Sequence, residues 1–248
     1  MRRALLVLAA GLAGCGGGPP EEAARVDDGR VAPVTSDRAP EVAAATAPHV
    51  RGRWATARLS RRVALRSAPG GRAVGGIGPR TEFGGRRVLS VLRRRGAWLQ
   101  VVVPERPNAR PGWIPAGRAR LGATDVSLHV DRSARTLIVR DRSGVLQRVS
   151  IGVGAPGHET PTGRFAVTDK LRMEGPGTTY GCCAIALSAH QPNLPATWDG
   201  LDRIAVHGTQ SPETIGVAAS LGCMHASERD LHRLMRSVPL GAPVFIRA

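Results

Sequence analysis

The sequence predicts a mainly β protein: a small β domain, then a larger, mostly β domain with one clear helix. Three observations carry this. Between Trp54 and Leu121, short apolar runs ("VALRSAPGG", "RRVLSVL", "AWLQVVV", "GWIP") alternate with glycine and proline punctuation. That is the pattern of closely spaced strands in a barrel or sandwich. From Thr124 onward, "VSLHV", "TLIVRD", "VLQRVSIGVG", "GRFAV" and "RIAVHG" read as further strands, with Ser143-Gly144 placed as a hairpin turn. One stretch has helical spacing. Ser227 stands as a cap with Asp230 at the reciprocal position of a capping box, and Leu231, Leu234, Met235 and Val238 follow on one face. Pro239-Leu240-Gly241 ends that helix, and "APVFI" closes as a strand. Hydrophobic residues make up 42% of the chain but aromatics only 3%, so the cores must be built from Val, Leu, Ile and Ala. No internal repeat of solenoid period is present.

The N-terminus sets the compartment. In "MRRALLVLAAGLAGCGGGPP" two arginines precede an apolar run from Ala4 to Ala13, the charged and hydrophobic regions of a signal peptide. The run is too short to span a bilayer, which takes about 20 residues. Leu12-Ala13-Gly14-Cys15 resembles the lipobox of bacterial lipoproteins. The resemblance implies residues 1–15 as signal peptide, Cys15 as the lipidated mature N-terminus, and a membrane-anchored protein on the extracytoplasmic face. Residues 16–50 hold few large apolar groups and are expected to be a disordered linker with a reach of roughly 30 Å. Export permits disulfides. It also argues against a nucleic-acid partner, despite a formal net charge of +16. The arginines read as spread along the chain, suited to an anionic envelope polymer or lipid, or simply solvated.

Residues 51–121 resemble a bacterial SH3-like β barrel through Val63–Gly71, Trp98-x-x-Val101 and Gly112-Trp113-Ile114. Such a module implies wall-peptide binding or the positioning of a neighbouring enzyme. Its tryptophans read as core rather than as a binding groove.

Residues 122–248 hold the candidate chemistry. Cys223 has four readings: buried structural thiol, disulfide partner, metal ligand, or nucleophile. A nucleophile needs a base, oxyanion donors and an open approach. His207 ends the apolar run "RIAVH" next to Gly208. Gly222 permits an unusual backbone beside the thiol, and Cys223 lies four residues before a helix cap. Cys182, Cys183, Cys223 and His207 lack the spacing of a structural zinc site, so no metal is expected. Three cysteines beyond the lipobox leave at least one unpaired. His190 is placed in a loop, and His49, His129, His158 and His232 have no motif context.

His207-Gly208-Thr209 and Ser220-x-Gly222-Cys223 closely resemble the signature of the L,D-transpeptidases (YkuD-type domain). "ETPTGRFAV", "YGCCAIALS" and "VPLGAPVFI" fall in the family's order. The resemblance implies an L,D-transpeptidase-type β-sandwich with one or more short helices. It implies that Cys223 attacks a peptidoglycan stem peptide, that His207 moves protons, and that a 3→3 cross-link forms through a thioester, without cofactor. Gly222 and Cys223 would supply oxyanion N–H groups, Tyr180 and Gly181 a substrate lid, and Ser220, Thr209 and Gly208 support. Two positions depart from the family: Leu221 replaces a common His, and His225 replaces a common Arg or Asn. The alternatives are an L,D-carboxypeptidase, with water as acceptor, and a catalytically weak wall-binding lipoprotein. The expected partners are stem peptides and the membrane; the sequence does not give the oligomeric state.

Overall fold

The computed structural model describes residues 54–173, 178–197 and 200–248. The expected signal peptide, Cys15 and the expected linker lie outside these residues, as do residues 51–53 at the start of the expected barrel.

Two β sheets make up the described fold. The first contains β1 (Trp54–Leu59), β2 (Val63–Arg66), β3 (Ala73–Ile77), β4 (Val88–Arg95), β5 (Trp98–Val102), β6 (Gly112–Pro115) and β7 (Ala119–Thr124), in the order β3-β2-β6-β5-β4-β1-β7. Every pairing in it is antiparallel. Leu65, Ile77, Leu99, Val101 and Ile114 close its core. Trp113 is buried as expected, while Trp54 and Trp98 are half-buried. Arg66 lies over the Trp98 ring and Arg93 over Trp113, so a cation stacks on each ring.

The second part contains β8 (Ser127–Asp131), β9 (Thr136–Asp141), β10 (Gly144–Ser150), β11 (Val153–Gly154), β12 (Gly163–Arg172), β13 (Cys183–His190), β14 (Arg203–His207), β15 (Ala218–Ser220), β16 (Met224–His225), α1 (Glu228–Ser237) and β17 (Pro243–Arg247). Eight of these strands form a sheet in the order β10-β9-β8-β17-β12-β13-β14-β16, and β11 pairs with β15 separately. Leu128, Leu137, Ile185, Leu187, Ile204, Met224, Leu231 and Leu234 pack into one core. The mainly β fold with one α-helix is therefore as expected among the described residues. The Ser227 hydroxyl caps α1 by accepting from the Asp230 N–H, and it donates to the Asp230 carboxylate at 2.7 Å. Lys170 Nζ donates to the Met235 carbonyl at 2.8 Å and ties the far end of α1 to β12.

Two expectations need correction. The β9–β10 turn is Arg142-Ser143, because Gly144 already pairs with Asp141; the Asp141 carboxylate accepts from the Ser143 N–H and hydroxyl and fixes that turn. His190 is not a loop residue: it ends β13, and its ring bonds Asp202 at 2.8 Å and the Pro104 carbonyl at 2.5 Å. The arginines run along the whole chain, as expected, but the net charge is concentrated. Residues 54–124 contain fifteen arginines against Glu82 and Glu105, a formal +13 of the chain's +16.

The two sheets meet through polar contacts. Thr81 Oγ1 donates to Asp169 Oδ1 at 2.5 Å, and Glu82 pairs with Arg203. Asn108 bonds the main chain of His190 in both directions, at 2.7 and 2.9 Å.

Candidate active site

A parallel pairing builds the site. β14 and β16 align Val206 with Met224 and His207 with His225. Leu221, Gly222 and Cys223 span the short gap between β15 and β16. Cys223 thus sits immediately before the strand that runs beside His207. Gly222 has φ +117°, a conformation L side chains rarely adopt, and a Cβ there would run into the Gln191 side-chain amide.

Buried hydrogen bonds fix this loop. Ser220 Oγ donates to the Cys223 carbonyl at 2.5 Å and accepts from the Gly222 N–H at 3.0 Å. Thr160 Oγ1 donates to the Gly222 carbonyl at 2.7 Å and accepts from the Gly154 N–H. Gln191 Nε2 donates to the carbonyls of Leu221 (3.1 Å) and His158 (2.9 Å).

The His207 ring bonds the Gly208 carbonyl through Nδ1 at 2.5 Å. A carbonyl only accepts, so Nδ1 carries the proton and Nε2 is left as the basic nitrogen. Edge contacts to Tyr180 and His225, each with centroids 4.9 Å apart, hold the ring on two sides. Gly181 packs Cα against Cα on Gly208; a Cβ on Gly181 would come within 2.7 Å of Gly208 Cα. The Tyr180–Gly181 segment therefore lies directly on His207-Gly208. The Thr214 hydroxyl gives its proton to the Ser211 carbonyl at 2.6 Å, so its oxygen accepts from His225 Nδ1 at 2.7 Å. This leaves His225 Nε2 as an acceptor.

Burial dominates the electrostatics. It pushes the Cys223 thiol up to about 11, opposed by the Ala205 backbone N–H. Part of the Cys223 residue remains at the surface, but the sulfur itself is enclosed. Burial pulls His207 down to about 4; the Gly208 bond opposes this and His225 adds to it. Burial, then the nearby Cys223, raises Tyr180. At neutral pH Cys223 is thus a thiol and His207 a neutral imidazole. The thiol donates to the Arg203 carbonyl at 3.7 Å.

Residues 125–246 match the family model of the L,D-transpeptidase catalytic domain, YkuD. Over these residues the chain is similar to the L,D-transpeptidase catalytic domain. The YkuD protein of Bacillus licheniformis, named as an L,D-transpeptidase, is 27% identical over 154 residues, covering 59% of this chain and 85% of its own. That of Bacillus subtilis is 31% identical over 117 residues, covering 47% of this chain and 63% of its own, so the chain spans under two thirds of that relative. A solved L,D-transpeptidase from Mycobacterium tuberculosis is 19% identical, with 55% of this chain and 64% of that chain covered and a TM-score of 0.42.

Within residues 125–246, the structure gathers Cys223, His207, Gly208, Gly222, Ser220, Tyr180, Gly181 and His225 around one loop. Two assignments change. The Gly222 N–H is committed to Ser220 Oγ, which leaves the Cys223 N–H as the donor without a hydrogen-bond partner among the described residues. Thr209 bonds only within its own turn, to Ser211, and does not reach the thiol or the imidazole. Cys182, Cys183 and Cys223 are all free thiols. Leu221, at the departing position, is an exposed apolar side chain at the rim. Sequence reasoning missed the positioning residues Thr160, Gln191 and Thr214. Of these, Thr160 lies inside the quoted "ETPTGRFAV" stretch, which was a signal without an assigned role.

Proposed function

We propose that the chain is an exported peptidoglycan L,D-transpeptidase that forms 3→3 cross-links through a thioester on Cys223. One observation carries the reading: His207 is locked with Nδ1–H on the Gly208 carbonyl, so its basic Nε2 is available beside the loop that presents Cys223. Cys223 Sγ attacks the carbonyl between the third and fourth stem residues while His207 Nε2 takes the thiol proton. Because thiol and imidazole are both neutral at rest, proton transfer accompanies attack as general-base catalysis. The Cys223 N–H faces the developing oxyanion. Collapse expels D-alanine, whose amine takes the proton from His207, and the thioester remains. A side-chain amine of a second stem then attacks the thioester and gives its proton to His207. That proton returns to the sulfur as the new amide forms. Tyr180 and Gly181 cover His207 from the solvent side and order the bound stem.

The lipobox ending at Cys15 extends this reading to a lipid-anchored enzyme, with the N-terminal sheet as an SH3-like module beside it. The test is incubation of the reduced protein with disaccharide-tetrapeptide, followed by mass analysis of the products. A 3→3 dimer with release of D-alanine supports the proposal. Tripeptide without dimer would replace it with an L,D-carboxypeptidase, and no turnover with retained binding to wall sacculi would replace it with a binding lipoprotein.

A further inference from the structure

A second cluster of soft ligands lies next to the active site without containing Cys223. The Sγ atoms of Cys182 and Cys183 and a ring nitrogen of His232 all lie within 4.8 Å of one another. They come from two elements: the cysteines stand at the start of β13, and His232 projects from the exposed face of α1. The main chain at the cysteines is already held on three sides. The Cys182 N–H donates to Glu228 Oε1 at 3.1 Å, the Cys182 carbonyl accepts from Met173, and the Cys183 carbonyl accepts from the Gly208 N–H. Glu228 stands one helical turn before His232, so a carboxylate already sits beside the trio. The His232 ring makes no hydrogen bond among the described residues. This trio differs from the set Cys182, Cys183, Cys223 and His207, whose spacing predicts no metal; His232 comes from a helix some fifty residues on.

We propose that Cys182, Cys183 and His232 form a binding site for a thiophilic metal ion of the zinc class. Two thiolates and an imidazole are a soft and borderline donor set that suits tetrahedral zinc, with the fourth position open to Glu228 or water. On binding, the two thiols release their protons and two S–metal bonds form; no electron is transferred. The ion would bridge the start of β13 to α1. The Cys182-Cys183 dipeptide directly follows Tyr180-Gly181 and is bonded to Gly208, so the bridge would fix the segment that covers His207. The site is therefore a clamp on that segment rather than part of the reaction; its regulatory meaning rests on the transferase reading, while metal binding itself does not.

Cobalt(II) titration of the reduced, metal-free protein under anaerobic conditions tests this. The expected result is one equivalent bound, with a near-ultraviolet thiolate-to-cobalt charge-transfer band and the visible bands of tetrahedral cobalt, displaced by zinc. The exposed His232→Ala should weaken binding by about tenfold or more, of the order seen when metal-site residues are removed. Cys182→Ser should abolish or halve the charge-transfer band, and Cys223→Ser should leave it intact. No band at a large excess of cobalt would overturn the proposal. So would a band that survives in His232→Ala unchanged, or one that disappears in Cys223→Ser, which would move the metal to the nucleophile. The Cys223→Ser arm reads binding without turnover, so failure here is distinguishable from failure of the transpeptidase assay.

Discussion

In the N-terminal sheet the arginines face water, and the two carboxylates are spent on arginines that are themselves withdrawn from it. Eleven of its fifteen arginines are exposed, among them Arg93, Arg94 and Arg95, while Glu105 pairs with buried Arg87 and Glu82 with Arg203. In the C-terminal part the formal charge of residues 125–248 is only +2, and three buried polar side chains converge on loop residues 221–223. Thr160, Gln191 and Ser220 all bond that loop. The first region presents a cationic surface suited to polyanions. The second spends buried hydrogen bonds, each costly to leave unmade, on placing one thiol. Position in the catalytic loop, not polarity as such, should decide which substitutions silence the chain.

The largest contrast is expected at His207. Replacing it with Ala should lower the rate of Cys223 acylation by about 10²–10⁴-fold, the range for loss of a general base. Arg93→Ala in the N-terminal sheet should change the same rate by no more than about twofold, as surface substitutions do. Stopped-flow acylation of both variants checks this, and equal losses would break the comparison. Next comes Gly222→Ala, which combines a positive φ with a clash against Gln191. A loss of about 2–4 kcal/mol in urea unfolding is expected, together with impaired acylation.

His207 also makes stability depend on pH. Its folded value of about 4 lies below the ordinary 6.5, so the unfolded chain takes up the proton first. The stabilisation is fully present above pH 6.5 and is lost as pH falls towards 4, by at most about 3 kcal/mol. Urea midpoints at pH 7 and 4.5 should therefore differ less in His207→Gln than in the parent.

Smaller still is Thr160→Val, which orphans the Gly222 carbonyl and Gly154 N–H. About 1–3 kcal/mol of stability should be lost, with a fall in kcat/KM carried by kcat. Thr81→Val, at the seam with Asp169, should cost a similar amount of stability and leave kcat unchanged. A fall in kcat there would mean that the seam also positions the loop.

What could be read in the sequence was local. Cys223, Gly222 and His207 lie in short runs whose spacing speaks for itself, and the Ser227 cap fixed α1. Contacts that join distant segments were hidden. Gln191 reaches Leu221 across thirty residues, and Thr160 reaches Gly222 across sixty-two. The oxyanion assignment of the Gly222 N–H failed because the Ser220 hydroxyl, two residues away, captures it. Strand β13 was missed because seven of its eight residues are buried, so the alternation that marks a half-buried strand is absent. Charge summed over the whole chain concealed its concentration in residues 54–124.

The central claim is that Cys223 is the activated nucleophile of this domain. Intact-mass analysis of the reduced protein after incubation with a carbapenem, followed by peptide mapping, tests it most directly. The account predicts one drug adduct, mapped to Cys223, absent in Cys223→Ala and slowed in His207→Ala. A folded, reduced protein that takes no adduct, or carries it on Cys182 or Cys183, would contradict it.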